Sequence, residues 1–206
     1  MLGLGTALAA SAQMYKCTGA DGKPSYRDRP CDAGSRQRDV GDEMSGRVPA
    51  VRYYELRSQD WASMRAEIDA RAPKGYHGLA SWQVRYNYRW NPTSDGQCSV
   101  TAVVPEFAGE ILMPRWVPGP AVSADQRARW ERYSAALKLH EDGHVAHGKQ
   151  LASALAQISG LRADCGSIAA AVKARADALI RRYSGADAEY DRQTNHGETQ
   201  GAVLGR

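Results

Sequence analysis

No stretch of this 206-residue chain is apolar enough to span a bilayer. The first twelve residues, MLGLGTALAASA, fall far short of the roughly 18 that a span needs, and no later segment qualifies. Blocks of five or more Lys or Arg are also missing. The net charge of +4 is spread over interspersed 27 basic and 23 acidic side chains, which reads as a solubility feature and not as a nucleic-acid footprint. No C-x-x-C pair occurs, so the cysteines carry neither a redox motif nor a finger-type zinc site. Internal repeats and low-complexity segments are absent. One further absence bears on the chemistry: no Glu stands between Glu141 and Glu189.

What is present is ordinary globular composition, with 43% hydrophobic and 24% charged residues, enough for one main domain and a small appendage. The opening run ends in Ala10-Ser11-Ala12, an A-x-A pattern, and residues 1–12 are expected to be the remnant of a signal peptide. The alternative, a packed N-terminus, fits poorly because Gly and Ala make a weak core helix. Four cysteines in an exported chain favour two disulfides and a periplasmic or secreted location.

Residues 13–31 predict a hairpin: strand residues from Met14 to Thr18, a turn at Asp21-Gly22, and a return strand at Ser25-Tyr26. Cys17 and Cys31 bracket it, and a bond between them would staple a unit too small to hold itself. Residues 32–50 lack periodicity and are expected to be a linker. The main domain, 51–201, opens on a strand, Val51 to Leu56. Asp60 can cap a helix that ends near Arg71, before Pro73. Ser81 to Trp90 alternates, with Trp82, Val84, Tyr86, Tyr88 and Trp90 on one side, as a half-buried strand does. Gln97 to Val104 is a second strand, and Ile111 to Met113 is expected to be a short third. From Ser123 the period becomes helical, with a capping-box pattern at Ser123 and Gln126. A further helix is expected from Asp164 to Tyr183, closed by Ser184-Gly185. The rest of the tail is polar, and 202–206 are expected to lie outside the domain.

The long helix carries His140-Glu141-Asp142-Gly143-His144, an H-E-x-x-H pattern. Residues four apart on a helix share a face, so two imidazoles can hold one tetrahedral zinc ion. Glu141, beside the first imidazole, can take a proton from water at the open coordination position. The competing reading is a chance match on a surface helix. Against it, both histidines continue the apolar stripe of Trp130, Tyr133 and Leu137 and so face inward. Gly143 counts the other way, since glycine within a helix costs about 1 kcal/mol relative to alanine.

The third ligand is not fixed by spacing. His147 shares the face but lies about 10.5 Å along the helix from His140, so one ion cannot take all three. An extended pattern with Gly at 147 and His at 150 is ruled out by His147 and Gln150. Asp164 and Asp177 are the only acidic residues near at hand on the following helix.

Cys98, Trp116 in MPRW, Trp130 and Tyr133 in W-x-x-Y, the H-E-x-x-H, Cys165, and Tyr190, Asp191, Thr194, His196 and Gly197 in a terminal Y-D-x-x-T-x-H-G together resemble a bacterial family. It is a family of predicted secreted zinc-dependent proteases, itself a domain of unknown function, and the resemblance spans about Val51 to Gly201. The segment YKCTGADGKPSYRDRPC resembles a short N-terminal module common in exported proteobacterial proteins. The resemblance implies a zinc peptidase with His196 as third ligand ahead of Asp191, Glu189, Asp177 or Asp164, with Asp191 otherwise a hydrogen-bonding partner to a zinc histidine and Tyr190 a donor to the oxyanion.

The expected fold is α+β and zincin-like: a small antiparallel sheet packed on the H-E-x-x-H helix, with a disulfide-stapled N-terminal hairpin and a second bond, Cys98–Cys165. The expected partner is a protein or peptide substrate, with no nucleic acid and no transmembrane anchor. Two other functions fit the residues, a non-catalytic metal-binding module of the cell envelope and a peptidoglycan amidase.

Overall fold

The computed structural model describes residues 15–18, 24–27, 31, 36–39, 49–72 and 75–205. They belong to two units, Met1–Gly46 and Arg47–Arg206. In the first, β1 (Tyr15–Thr18), β2 (Pro24–Arg27) and β3 (Arg36–Asp39) form an antiparallel sheet in the order β2-β1-β3. β3 lies inside the stretch expected to be a linker. Arg36-Gln37-Arg38-Asp39 has no apolar alternation, so pattern alone could not reveal it. The expected Cys17–Cys31 bond rests on a side chain outside the described ones, and residues 1–12 lie outside the described residues altogether.

The second unit has β4 (Ala50–Leu56), α1 (Trp61–Arg71), β5 (Leu79–Pro92), β6 (Gln97–Trp116), α2 (Ala124–Ala156), β7 (Arg162–Asp164), α3 (Ile168–Thr194) and a 3₁₀ turn, Glu198–Gln200. β6 is central. β5 pairs with it antiparallel from Cys98 to Leu112, β7 antiparallel at Gln97–Ser99, and β4 parallel from Glu110 to Trp116. Residues 98–99 and 110–112 of β6 have partners on both sides, so β4 and β7 share the edge opposite β5. The sheet is therefore mixed, not antiparallel as expected. The chain between β4 and β6 passes through α1 and all of β5, long enough to bring the strand back in the same direction.

β6 is also one continuous strand through Pro105, where the sequence suggested a break. Ala80 gives its N–H to Glu141 and not to its partner Ile111. Counting in twos from that pair puts the nitrogen of Pro105, opposite Tyr86, on the edge of β6 away from β5. No strand pairs there among the described residues, and the missing N–H costs no ladder bond.

One face of the sheet is covered by helices. Trp82, Val84, Tyr86 and Tyr88 pack on a core of Cys98, Val100, Val103, Leu151, Leu155, Ile158, Ile168 and Val172. α2 comes close because Gly148 has no side chain: a Cβ there would lie 2.7 Å from Trp82 and 2.8 Å from Phe107. Trp90 leaves the buried row, being 40% exposed, because the β5–β6 register shifts between Arg89 and Trp90. The Cys98–Cys165 bond is present and ties β6 to the turn between β7 and α3.

The local start signals hold. Asp60 accepts the Ser63 N–H, and Ser123 and Gln126 form the reciprocal capping box of α2. The stop at Ser184-Gly185 does not hold, and α3 runs eleven residues beyond the expected end at Tyr183, to Thr194. Nor are 202–205 an external tail. Ala202 and Leu204 are buried, and the Leu204 carbonyl accepts a hydrogen bond from Arg65. No described helix is long and apolar enough to cross a membrane.

Candidate metal centre

The extra turns of α3 build the site. Asp187, Tyr190, Asp191 and Thr194 follow the spacing i, i+3, i+4, i+7 and so share one helix face. His140, Gly143, His144 and His147 on α2 follow the same spacing. The two faces meet in antiparallel sense: Asp187 contacts His144 and His147, Tyr190 fills the space over Gly143, and Thr194 reaches His140. The sequence marks the α2 face by its motif and hides the α3 face behind a local stop signal.

At the centre, Asp191 Oδ1 lies 3.0 Å from His144 Nε2 and 3.3 Å from His140 Nε2, and the two imidazole nitrogens are 3.2 Å apart. The hydrogens of these rings are committed elsewhere. His144 Nδ1 is 2.9 Å from the Asp187 carboxylate, which can only accept. His140 Nδ1 is 3.1 Å from Gln200 Oε1 and 3.3 Å from Thr194 Oγ1, whose own hydrogen goes to the Tyr190 carbonyl at 2.8 Å. With both imidazoles neutral, their Nε2 lone pairs and a carboxylate oxygen therefore converge with no hydrogen among them. Such a cluster could hold a cation. Two imidazole nitrogens and a carboxylate oxygen are a fitting donor set for a divalent metal.

The ring orientations are fixed from behind. Asp187 Oδ1 accepts from His144 Nδ1 and from His147 Nδ1, each at 2.9 Å. Burial pushes the Asp187 carboxyl up, but these two hydrogen bonds outweigh it and the net shift is down. Burial also pulls the His144 imidazole down, and the hydrogen bond and charge of Asp187, with Asp191 and Glu141, turn the net shift upward. His140 goes the other way, lowered by burial and by His144. On the far flank Tyr190 stacks on the His140 ring, and its hydroxyl accepts from Gln200 Nε2 at 2.9 Å. Gln200 is in place because the chain turns sharply after α3. Asn195, His196 and Gly197 all have positive φ, and a Cβ at Gly197 would lie 3.0 Å from the His140 side chain.

Glu141 lies beside the cluster, only 4% exposed, and accepts the Ala80 N–H at 2.7 Å. Burial pushes its carboxyl up to about 7, against the pull of His144 and the Ala80 hydrogen bond. A group with that value can both take and return a proton near neutrality. The cluster and Glu141 open onto a cavity of about 460 Å³, whose wall includes His77, Gly78, Ala80, Leu137, Asp191 and His196.

The expected site residues fall as follows. His140, Glu141 and His144 converge on one cavity. Asp191, expected behind a ligand, brings its Oδ1 into the group with the two Nε2 atoms that could hold an ion. His196 does not join the cluster: its Nδ1 is 3.3 Å from Asp191 Oδ1, and its side chain is half exposed at the rim, against the Tyr76 ring. Tyr190, expected as an oxyanion donor, is not among the cavity-lining residues; it stacks on the His140 ring and its hydroxyl meets Gln200. Asp187, Gln200 and His77 were not singled out from sequence. The i, i+3, i+4, i+7 match to the H-E-x-x-H face was the available signal for Asp187. None existed for Gln200 or His77.

Residues 51–197 match the model of a family described as a bacterial protein of unknown function, DUF922, and residues 1–48 match a domain of unknown function, DUF4124. No curated protein and no solved structure matches the chain.

Proposed function

We propose that the chain, which belongs to the bacterial DUF922 family, is an exported zinc-dependent hydrolase that cleaves peptide bonds. One observation carries this reading: three donor atoms, hydrogen-free when both imidazoles are neutral, converge beside a buried carboxyl, Glu141, whose pKa burial raises to about 7 and which faces a cavity. His140, His144 and Asp191 would hold the ion. Zinc in such a site acts as a Lewis acid, activating water and polarising a carbonyl.

Within that frame the protein's own groups divide the work. Glu141 takes a proton from the attacking water and gives it to the departing amine. Asp187 and Gln200 hold the two imidazoles in the ligating orientation. A purely structural metal site has no use for a carboxylate such as Glu141 beside its ligands, which argues against a non-catalytic module. The Cys98–Cys165 bond suits an oxidising compartment and supports export.

The test is metal analysis of the purified protein and of Glu141→Ala, with hydrolysis followed on denatured casein and on peptidoglycan. One zinc per chain in both proteins is expected, with casein cleaved by wild type alone. Cleavage restricted to peptidoglycan peptides would point to an amidase, and a wild-type protein that held no divalent metal would overturn the proposal.

A further inference from the structure

Beside Glu141 the cavity wall carries a histidine with no role in holding the metal cluster. His77 sits just before β5 and is fixed twice. Its carbonyl accepts the Tyr54 hydroxyl at 2.6 Å, and its Nδ1 lies 2.7 Å from the Tyr133 hydroxyl. Tyr133 is 2% exposed, and burial keeps its phenol firmly protonated. The direction of that second bond can be decided. His77 Nδ1 is the only acceptor near the Tyr133 hydroxyl among the described residues. If the ring donated instead, the buried phenol hydrogen would be left without a partner, a loss on the order of 1–3 kcal/mol. Tyr133 therefore donates, and the neutral ring carries its hydrogen on Nε2.

Nε2 has no hydrogen-bond partner among the described residues. None of their buried side-chain nitrogens is unpaired, so this one is accessible. His77 lines the same cavity as the metal cluster. Its neighbour Gly78 lies directly on the general base, and a Cβ there would be 2.5 Å from Glu141 Oε1. The absence of that side chain lets the His77 segment and the Glu141 carboxylate share one wall. Burial lowers the His77 imidazole, so at neutral pH it is an uncharged N–H donor on the cavity wall.

We propose that His77 is a catalytic residue whose Nε2–H donates to the substrate carbonyl oxygen as charge develops there, with Tyr133 as the positioning residue that fixes its tautomer. This rests on the hydrolase reading of the same site. As water adds to the carbonyl carbon, its proton passes to Glu141 and the C=O π pair moves onto oxygen. His77 donates a hydrogen bond to that oxygen without giving up its proton. Re-formation of the C=O bond then expels the nitrogen, which takes the proton from Glu141.

The experiment compares metal-loaded wild type, His77→Leu, His77→Gln and Tyr133→Phe. Readouts are zinc content, kcat and KM on denatured casein, and binding of a phosphinic peptide, a tetrahedral analogue. His77→Leu should keep its zinc and its KM within about twofold, lose roughly 10²–10³-fold in kcat, and bind the phosphinic peptide correspondingly less well. His77→Gln, which retains an N–H donor, should recover part of the loss. Tyr133→Phe should lower kcat about tenfold with KM unchanged. An active wild type with His77→Leu within about threefold of it in kcat would overturn this inference and leave the hydrolase reading standing. Loss of zinc from His77→Leu would also overturn it, by making His77 a support of the metal cluster. A wild type that binds zinc but neither cleaves casein nor binds the phosphinic peptide would overturn both.

Discussion

Tyr190 lies flat on His140, with ring centroids 5.1 Å apart and planes 14° apart, and its phenol edge fills the space a side chain at Gly143 would need. This explains a glycine in the middle of α2 that local propensity disfavours. A Cβ at 143 would sit 2.3 Å from the Tyr190 hydroxyl oxygen and 2.4 Å from the ring. Gly143→Ala should gain about 1 kcal/mol of helix propensity and lose more than that to overpacking, for a net destabilisation of about 1–2 kcal/mol. It should also weaken zinc binding, because Tyr190 supports His140. Urea unfolding and zinc titration of Gly143→Ala, Tyr190→Ala and the double variant check this. The two changes should be strongly non-additive, and strict additivity would remove Tyr190 as the reason for the glycine.

Much of the site was legible because it obeys local rules. H-E-x-x-H fell on a helix with the inward face of Trp130 through Leu137, and the Ser123 cap fixed where that helix begins. What escaped was set by contacts distant in sequence. Ser184-Gly185 is a fair local stop, yet α3 continues because the face from Asp187 to Thr194 docks on α2, and that gain exceeds the cost of an internal glycine. Asp187 and Asp191 therefore sit on a rigid helix, while the sequence suggested an irregular tail. The parallel pairing of β4 was hidden for a similar reason, since strand direction depends on the path of the intervening chain.

Asp187 binds two imidazoles through one oxygen, so its loss should act on the metal more than on the fold. Asp187→Asn keeps the volume and can still accept, but it removes the charge that holds both Nδ1 hydrogens. Zinc affinity should fall about 10–100-fold with little change in unfolding midpoint. His147→Ala, which removes only the second donor, should cost less than a factor of ten. Competition with a chromogenic chelator measures both, and equal losses in the two variants would contradict the orienting role given to Asp187.

The raised carboxyl of Glu141 makes the metal-free protein pH-sensitive in a defined direction. Its value is about 7 in the folded chain against an ordinary 4.5. Between those values the folded chain holds a proton that the unfolded chain has lost. Stability contributed by this group therefore falls as pH rises from about 4.5 to 7, by at most about 3 kcal/mol. Glu141→Gln lacks the titration, so after chelation it should gain on wild type across that window and then run parallel above pH 7. Urea unfolding of both proteins at several pH values gives the difference. The upward-shifted His144 also loses its stabilising effect as pH rises, but it is common to both proteins and largely cancels. A difference that stays flat from pH 4.5 to 7 would refute the buried, protonated state of Glu141.

The ligand set gives the last prediction, in which the geometry departs from the third ligand expected from the sequence. Asp191 reaches both imidazole nitrogens from a regular helix, at 3.0 and 3.3 Å. His196 reaches only Asp191, from the left-handed turn beyond the helix, with half its side chain exposed. A ligand on a rigid element needs little ordering when metal arrives, whereas one at an exposed turn loses conformational freedom to bind. Asp191→Ala should therefore reduce zinc affinity roughly a thousandfold, and Asp191→Asn, which lacks the negative charge, should recover only part of it. His196→Ala should change zinc affinity less than tenfold. If His196 instead contacts substrate at the rim, its loss should appear in KM. Zinc titration and steady-state kinetics on the three variants separate the cases. Metal lost from His196→Ala but retained by Asp191→Ala would reverse the assignment, returning the third ligand to the turn and leaving Asp191 as its hydrogen-bond acceptor.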